Sequence, residues 1–304
     1  MQIRIFIPSA NKFSRMLDSL RLVEKLAKKR GVSVYLVGGL LRDIITSEKN
    51  YKEVILGKNP LDIDFAVSRD TLELAQDFSK KIKASFVLLD KKTRCVRVVK
   101  KTRDRIVNFD FAQFRASTIE RDLRERDFTL NTFILPLEVV PLIKKGKVSL
   151  RGSIIDCLGS KKDLEEGILR RAGQCSIEGD PLRILRGFYY SGRFSLKMEE
   201  NTYNDVKINV GKLPRISSER IRDELFRIFS LPESYREVEQ MDRIGIWQEF
   251  IPEVEQMKKV GKGGYHHLNV WDHSKETFRQ LENLIENKLK LNHRIMDYLN
   301  EELA

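Results

Sequence analysis

Cysteine is scarce: Cys95, Cys157 and Cys175 are odd in number and far apart in the 304-residue chain. They supply neither a disulfide framework nor a CxxC metal site, and read as small buried thiols in a reducing compartment. Long apolar runs are missing as well. The longest charge-free stretch, Gly31 to Leu41, falls well short of the roughly 18 apolar residues of a membrane span. Arg4 follows close behind Met1, so the N-terminus lacks the apolar core of a signal peptide. These absences argue against a membrane protein and a secreted one, and the expectation is a cytoplasmic chain. No fixed-period repeat or low-complexity tract is evident.

What the chain does carry is positive charge. Lys and Arg number 56 against 44 Asp and Glu, so the net charge is 56 − 44 = +12. A surplus of that size attracts polyanions, and nucleic acid is the leading partner. With 41% hydrophobic residues and a length that suggests about two domains, sizeable cores are expected.

The texture changes near residue 150. Before it, short apolar runs (Val34 to Val37, Phe86 to Leu89, Val96 to Val99, Ile106 to Phe109) alternate with helical stretches such as Phe13 to Lys29 and Thr71 to Lys83. That pattern predicts an α/β or α+β domain. Beyond Asp156 the β-branched runs thin out. Pro181 to Tyr190, Ser218 to Phe229 and Ser274 to Leu289 carry helical periodicity, and the second half is expected to be all-helical.

Chemistry concentrates in the first half. Gly38-Gly39 follows the strand Val34 to Val37 and precedes a predicted helix Leu40 to Thr46, so backbone N–H groups there could cradle phosphate at a helix start. Alone, such a pair more often marks an ordinary tight turn. In Leu61-Asp62-Ile63-Asp64-Phe65 the two-residue period of a strand puts both carboxylates on one face, with Ile63 and Phe65 on the other. Two neighbouring like charges need compensation. A divalent cation supplies it, and Mg²⁺ suits hard oxygen ligands while keeping positions for phosphate. Asp110, between Phe109 and Phe111, repeats the pattern; it is a third acidic ligand or general base, or else a solvated residue on an edge strand. Three carboxylates would allow a two-ion phosphoryl-transfer site.

In order, Gly38-Gly39-Leu40-Leu41-Arg42-Asp43, Asp62-Ile63-Asp64, Asp110 and Arg126-Asp127-Phe128-Thr129-Leu130-Asn131 resemble the class II tRNA nucleotidyltransferase (CCA-adding enzyme) and bacterial poly(A) polymerase family. Asp156 to Leu164, Asp180-Pro181-Leu182-Arg183-Ile184-Leu185-Arg186 and Glu219 to Leu225 continue the series, so the similarity covers about Gly31 to Phe229. The resemblance implies an α+β fold: a polymerase-β-like nucleotidyltransferase head with a mixed sheet over 1–149, then a helical neck with the nucleotide-selecting motif over 150–230 and a helical body or tail over 231–304. It also implies template-independent, Mg²⁺-dependent addition of CMP or AMP from CTP or ATP to the 3′ end of tRNA. Asp62 and Asp64 would hold the metal, and Asp110 would assist the attacking 3′-hydroxyl. Gly38, Gly39, Arg42, Arg126 and Asn131 would meet the triphosphate or ribose. Asp180, Arg183 and Arg186 would select the base.

The residues themselves bear on some of these roles. Arg42, in the first turn after the glycine pair, can offer guanidinium donors to phosphate. Arg126 is equally a solvated charge, since Glu120 to Asp127 is charged throughout. Asp180 followed by Pro181 reads as N-cap and N1 of a helix, which would set Asp180, Arg183 and Arg186 on one stripe. Phe188, Tyr189, Tyr190 and Phe194 read as core at helical spacing, although Tyr189 or Tyr190 could stack on a terminal base.

Several positions depart from the family pattern. Asp62 follows Gly39 by 62 − 39 = 23 positions, and the charged segment Ser47 to Asn59 reads as an inserted loop. Glu125 and Tyr189 stand where arginines are usual, Ser160 where glycine is common, and Gly179 where an acid normally precedes Asp180. Only Phe111 to Thr118 separates Asp110 from the acidic approach to Arg126, a shortening that resembles the CC-adding subgroup. CC addition is therefore placed ahead of A addition. The alternatives are a bacterial poly(A) polymerase and a catalytically silent tRNA-binding module. His266, His267 and His273, with His293 further on, resemble the start of an HD-type phosphohydrolase domain, but the reading preferred for them is structural.

Overall fold

Alternation of apolar and polar residues, not propensity, fixes the register of the N-terminal half. In the computed structural model, which describes residues 9–47, 51–57, 59–103, 105–261 and 267–285, the chain divides into two compact units, Met1–Ser176 and Ile177–Ala304.

The first unit is built on a mixed sheet of seven strands: β1 (Val34–Val37), β2 (Leu61–Val67), β3 (Ser85–Asp90), β4 (Cys95–Lys101), β5 (Ile106–Gln113), β6 (Phe133–Pro136) and β7 (Ile155–Asp156). Their spatial order is β3-β4-β5-β2-β1-β6-β7. Only β2 and β5 run parallel; the other pairs are antiparallel. Both are central, so Asp110 does not lie on an edge strand. Helices α1 (Ser9–Arg30), α2 (Gly39–Thr46), α3 (Tyr51–Leu56), α4 (Thr71–Ile82), α5 (Ile119–Arg124), α6 (Val140–Lys144) and α7 (Ser160–Glu165) complete the unit.

One face of the sheet carries the main core. Leu36 of β1, Ile63 and Phe65 of β2, Val96 and Val98 of β4 and Phe109 and Phe111 of β5 pack there with Leu20 and Val23 of α1 and Leu74 and Phe78 of α4. Phe65 stacks on Phe111 with ring centroids 4.7 Å apart, and Phe78 meets Phe109 edge-on at 5.0 Å. Each such buried side chain is worth about 1.5–3 kcal/mol. A one-residue slip of β2 would expose Ile63 and Phe65 and bury the intervening carboxylates, so the apolar face determines where Asp62 and Asp64 point. The opposite face holds a smaller cluster of Val37, Ala66, Ile119, Leu123 and Ile134. The carboxylates share that face.

The expected inserted loop, Ser47 to Asn59, contains α3, and its Ile55 is fully buried in the main core. The charged residues around it mask this single apolar anchor in the sequence. The thiols also differ from expectation: Cys95 and Cys157 are half-buried and Cys175 is exposed, all three reduced.

The second unit is helical: α8 (Ser176–Gly179), which straddles the boundary, α9 (Arg183–Phe194), α10 (Glu200–Asn209), α11 (Ser218–Phe229), α12 (Tyr235–Arg243), α13 (Ile246–Phe250), α14 (Val254–Met257) and α15 (Val270–Ile285). Beyond residue 156 the departures from helix and loop among the described residues are the two-residue strands Ile168–Leu169 and Lys197–Met198 and the isolated bridge of Arg171 to Phe128. Helix α9 packs against α11 and α12, burying Ile184, Leu185, Phe188 and Tyr190. At α15, Lys275 bonds to Glu239 at 2.9 Å and to Asp242 at 2.8 Å.

Candidate active site

The site forms where β1 ends. Gly38, with φ of +80°, turns the chain out of β1 and into α2. A Cβ at Gly38 would lie 2.6 Å from Asp64 Oδ2, so glycine is required both by the backbone angle and by the carboxylate against it. The bend and the acidic face therefore meet.

Sheet register assembles the rest. Along the parallel β2–β5 pair, Asp62 stands opposite Asn108 and Asp64 opposite Asp110. Asn108, which is buried, donates from Nδ2 to Asp62 Oδ1 at 2.8 Å and holds that exposed carboxylate in place. On β4, Arg97 stands opposite Asp110. Its guanidinium donates from Nε to Oδ1 at 2.8 Å and from Nη2 to Oδ2 at 2.7 Å, a bidentate pair. Burial, reinforced by the negative charges of Asp110 and Asp62, pushes the Asp64 carboxyl up to about 6 against the pull of Arg126 and Arg97. The hydrogen bonds from Arg97 to Asp110 raise the guanidinium pKa further, so Arg97 is a permanent cation here.

Arg126 bonds to Asp122 Oδ2 from Nε at 3.2 Å and from Nη2 at 3.0 Å, and its charge reaches Asp64. Arg42 is only 4% exposed. It donates from Nε to Asp43 Oδ1 at 2.9 Å and from Nη1 to Asn131 Oδ1 at 2.7 Å. Asn131 Nδ2 in turn donates to Asp127 at 3.0 Å. The Arg42 guanidinium also lies over Gly39, 3.2 Å from where a Cβ would sit. Arg42 and Asn131 thus brace the glycine corner from beneath. Ser160, fully buried, donates to Thr129 O and pairs with Thr132 Oγ1 at 3.1 Å, so a serine at this position is internally satisfied.

In the second unit, Asp180 is not the N-cap that the sequence suggests. Helix α9 begins at Arg183, with Leu182 as its cap residue. Asp180 closes the preceding turn instead: its Oδ1 accepts from Leu182 N at 3.3 Å and its carbonyl from Arg183 N at 3.0 Å. Its Oδ2 pairs with Arg220 of α11 at 3.0 Å. Arg186 donates to Tyr190 OH at 3.0 Å, and Arg183 is buried. Phe188 and Tyr190 are core residues, whereas Tyr189 is half-buried with the Arg227 guanidinium 4.2 Å from its ring.

The donor chemistry suits a hard cation: Asp62 and Asp64 offer two carboxylates on one strand face, and burial beside two further carboxylates makes the charged form of Asp64 costly despite Arg126 and Arg97. Two protein carboxylates with phosphate completing the sphere is a normal Mg²⁺ arrangement. Among the described residues no group of three or more His, Cys, Asp or Glu closes to metal-holding geometry; both oxygens of Asp110 are taken by Arg97. His266 and His293 lie outside the described residues. In the same segment Asn269 Oδ1 accepts from Asp272 N at 2.7 Å and starts α15, and Asp272 pairs with Lys275 at 3.2 Å.

Sequence reasoning missed Arg97, Asn108 and Asp122. A charged residue between two core valines, at a strand position that register sets beside Asp110, was the available signal for Arg97. Finding it required knowing that β4 pairs with β5.

The family described as "Poly A polymerase head domain" matches residues 34–170, and "Probable RNA and SrmB- binding site of polymerase A" matches residues 195–258. The chain belongs to the tRNA nucleotidyltransferase and poly(A) polymerase family. Within this family it is 30% identical over 168 residues to an A-adding tRNA nucleotidyltransferase of Deinococcus radiodurans, covering 54% of this chain and 36% of that protein. It is 28% identical over 225 residues to a CC-adding tRNA nucleotidyltransferase of Geobacter sulfurreducens, covering 74% and 47%. A solved CCA-adding enzyme in complex with ATP superposes with a TM-score of 0.62 at 29% identity, over 79% of this chain and 52% of that one. The chain spans about half the length, or less, of these curated relatives.

Proposed function

We propose that this family member is a Mg²⁺-dependent tRNA nucleotidyltransferase that adds nucleotides of the 3′-terminal CCA end without a nucleic-acid template. The observation that carries the reading is the contact between the Gly38 bend and the Asp64 carboxylate. It sets the glycine bend at the start of α2 against the acidic strand.

In this reading Asp62 and Asp64 hold the metal, which would neutralise phosphate oxygens and lower the pKa of the attacking hydroxyl. Asn108 keeps Asp62 oriented. The 3′-hydroxyl oxygen of tRNA forms a bond to the α-phosphorus of CTP or ATP, the bond to pyrophosphate breaks, and Asp110 assists the hydroxyl as its proton leaves. Gly38 and Gly39 present backbone N–H groups to the triphosphate. Arg126 answers its charge, and Arg42 and Asn131 fix the corner and approach the phosphate or ribose. Asp180, Arg183 and Arg186 select the base in the helical part, where the neck (150–230) and body (231–304) would guide the tRNA. Several phosphate contacts from this basic chain would make tRNA binding strongly salt-dependent.

CC addition is placed ahead of A addition. The support is the short link from β5, which ends at Gln113, to α5, which begins at Ile119. Supplying single NTPs to tRNA lacking its last three nucleotides tests this. CMP incorporation, stopping after two additions, is expected; AMP incorporation only after a preformed CC end would establish A addition instead. A product ladder running far beyond three nucleotides on generic RNA would favour polyadenylation.

A further inference from the structure

Arg97 has no role in the proposed reaction, yet its position beside the carboxylates is fixed by strand alternation, by register and by two hydrogen bonds. Val96 and Val98 are fully buried in the main core on the other face of β4, so strand alternation leaves Arg97 no face but that of Asp62, Asp64 and Asp110. Register sets it opposite Asp110. Its fork takes one position on each Asp110 oxygen, at 2.8 and 2.7 Å, and the side chains are 38% and 16% exposed. It is a cation already in place beside three like charges.

We propose that Arg97 is a positioning residue that stands in for a divalent cation at Asp110, orienting and neutralising that carboxylate until metal arrives. This rests on the metal-dependent reading above. Two consequences follow from charge and valence alone. Arg97 repels any cation entering between Asp64 and Asp110, and it competes for the Asp110 oxygens such a cation would take. Loading of a cation onto Asp110 therefore requires the fork to release at least one oxygen, and Arg97 weakens cation binding in the nucleotide-free protein. The device prevents three unpaired carboxylates from repelling one another in the empty site without closing the site to metal.

The test is an Mn²⁺ titration of the nucleotide-free full chain, read from the electron paramagnetic resonance signal of free Mn²⁺. Wild type is compared with Arg97→Met, which keeps the stem and removes the charge, and with Arg97→Lys. Arg97→Met is expected to bind Mn²⁺ roughly tenfold tighter or more, with Arg97→Lys between it and wild type. Equal or weaker binding by folded Arg97→Met overturns the proposal while leaving the metal site standing. Absence of Mn²⁺ binding by both wild type and Arg97→Met overturns the metal-dependent reading and this inference together. Should Arg97→Met fail to fold, the wild-type Arg97 Nε–H resonance, identified by its loss in Arg97→Lys, decides. A shift that saturates with Mg²⁺ supports release of the fork, and an unmoved resonance under Mg²⁺ concentrations that saturate the site overturns it.

Discussion

Asp64 Oδ2 lies 2.6 Å from the point that a Cβ on Gly38 would occupy. The bend that would receive a triphosphate and the carboxylate that would hold its metal are thus in van der Waals contact. Gly38→Ala would place a methyl group on that carboxylate and force a side chain to adopt a φ of +80°. With ψ of −154° this is a region essentially reserved for glycine, and the backbone cost is on the order of 1–3 kcal/mol. Displacing Asp64 is more serious, and nucleotide incorporation is expected to fall about 100-fold or more. Single-turnover kinetics beside a melting curve check this, and near wild-type incorporation by Gly38→Ala would contradict it.

Asn131 links Arg42 to Asp127 through bonds of 2.7 and 3.0 Å in a buried setting. Asn131→Ala leaves a buried guanidinium short of an acceptor and a buried carboxylate short of a donor. The expected loss is about 2–3 kcal/mol of stability, measured by urea unfolding. A loss below about 0.5 kcal/mol, the range of ordinary surface changes, would show that the corner does not depend on this bridge.

Much of the head could be read before any coordinates. The alternation of Asp62 and Asp64 with Ile63 and Phe65 and the aromatics flanking Asp110 follow from a period of two set against the main core, and the helix after Val34–Val37 from the glycine pair that precedes it. What could not be read depends on contacts distant in sequence. Arg97 and Asn108 become site residues only through the pairing of β5 with β4 and β2. The helix Tyr51–Leu56 lay concealed because Ile55 is the one fully buried side chain described in a charged stretch. Asp180 failed as an N-cap because its side chain closes the turn before the helix, a difference of two residues that composition does not resolve.

A titration in the second unit offers a check on folding alone. Glu237 of α12 is 1% exposed and packs against Gly192 of α9, and among the described residues its Oε2 has no hydrogen-bond partner. Burial pushes its carboxyl up to about 7 from 4.5. Because the folded chain holds this proton more tightly than the unfolded one, its contribution is intact below about pH 4.5 and is lost as pH rises through about 7. Glu237→Gln removes the dependence. The variant should gain on the order of 3 kcal/mol over wild type at pH 8.5 relative to the difference at pH 4.5. Equal stability differences at the two pH values, measured by denaturant unfolding, would show that Glu237 is charged in the fold.

The central claim is that Asp62 and Asp64 carry metal-assisted nucleotide transfer to a tRNA 3′ end. It is tested most directly by radiolabelled incorporation on tRNAs ending at each stage of CCA maturation, with wild type and Asp62→Ala side by side. The account predicts Mg²⁺-dependent incorporation at one or more stages by wild type, and none by Asp62→Ala while its tRNA affinity persists. A wild type inert with every NTP and tRNA end, or an Asp62→Ala variant as active as wild type, would contradict it.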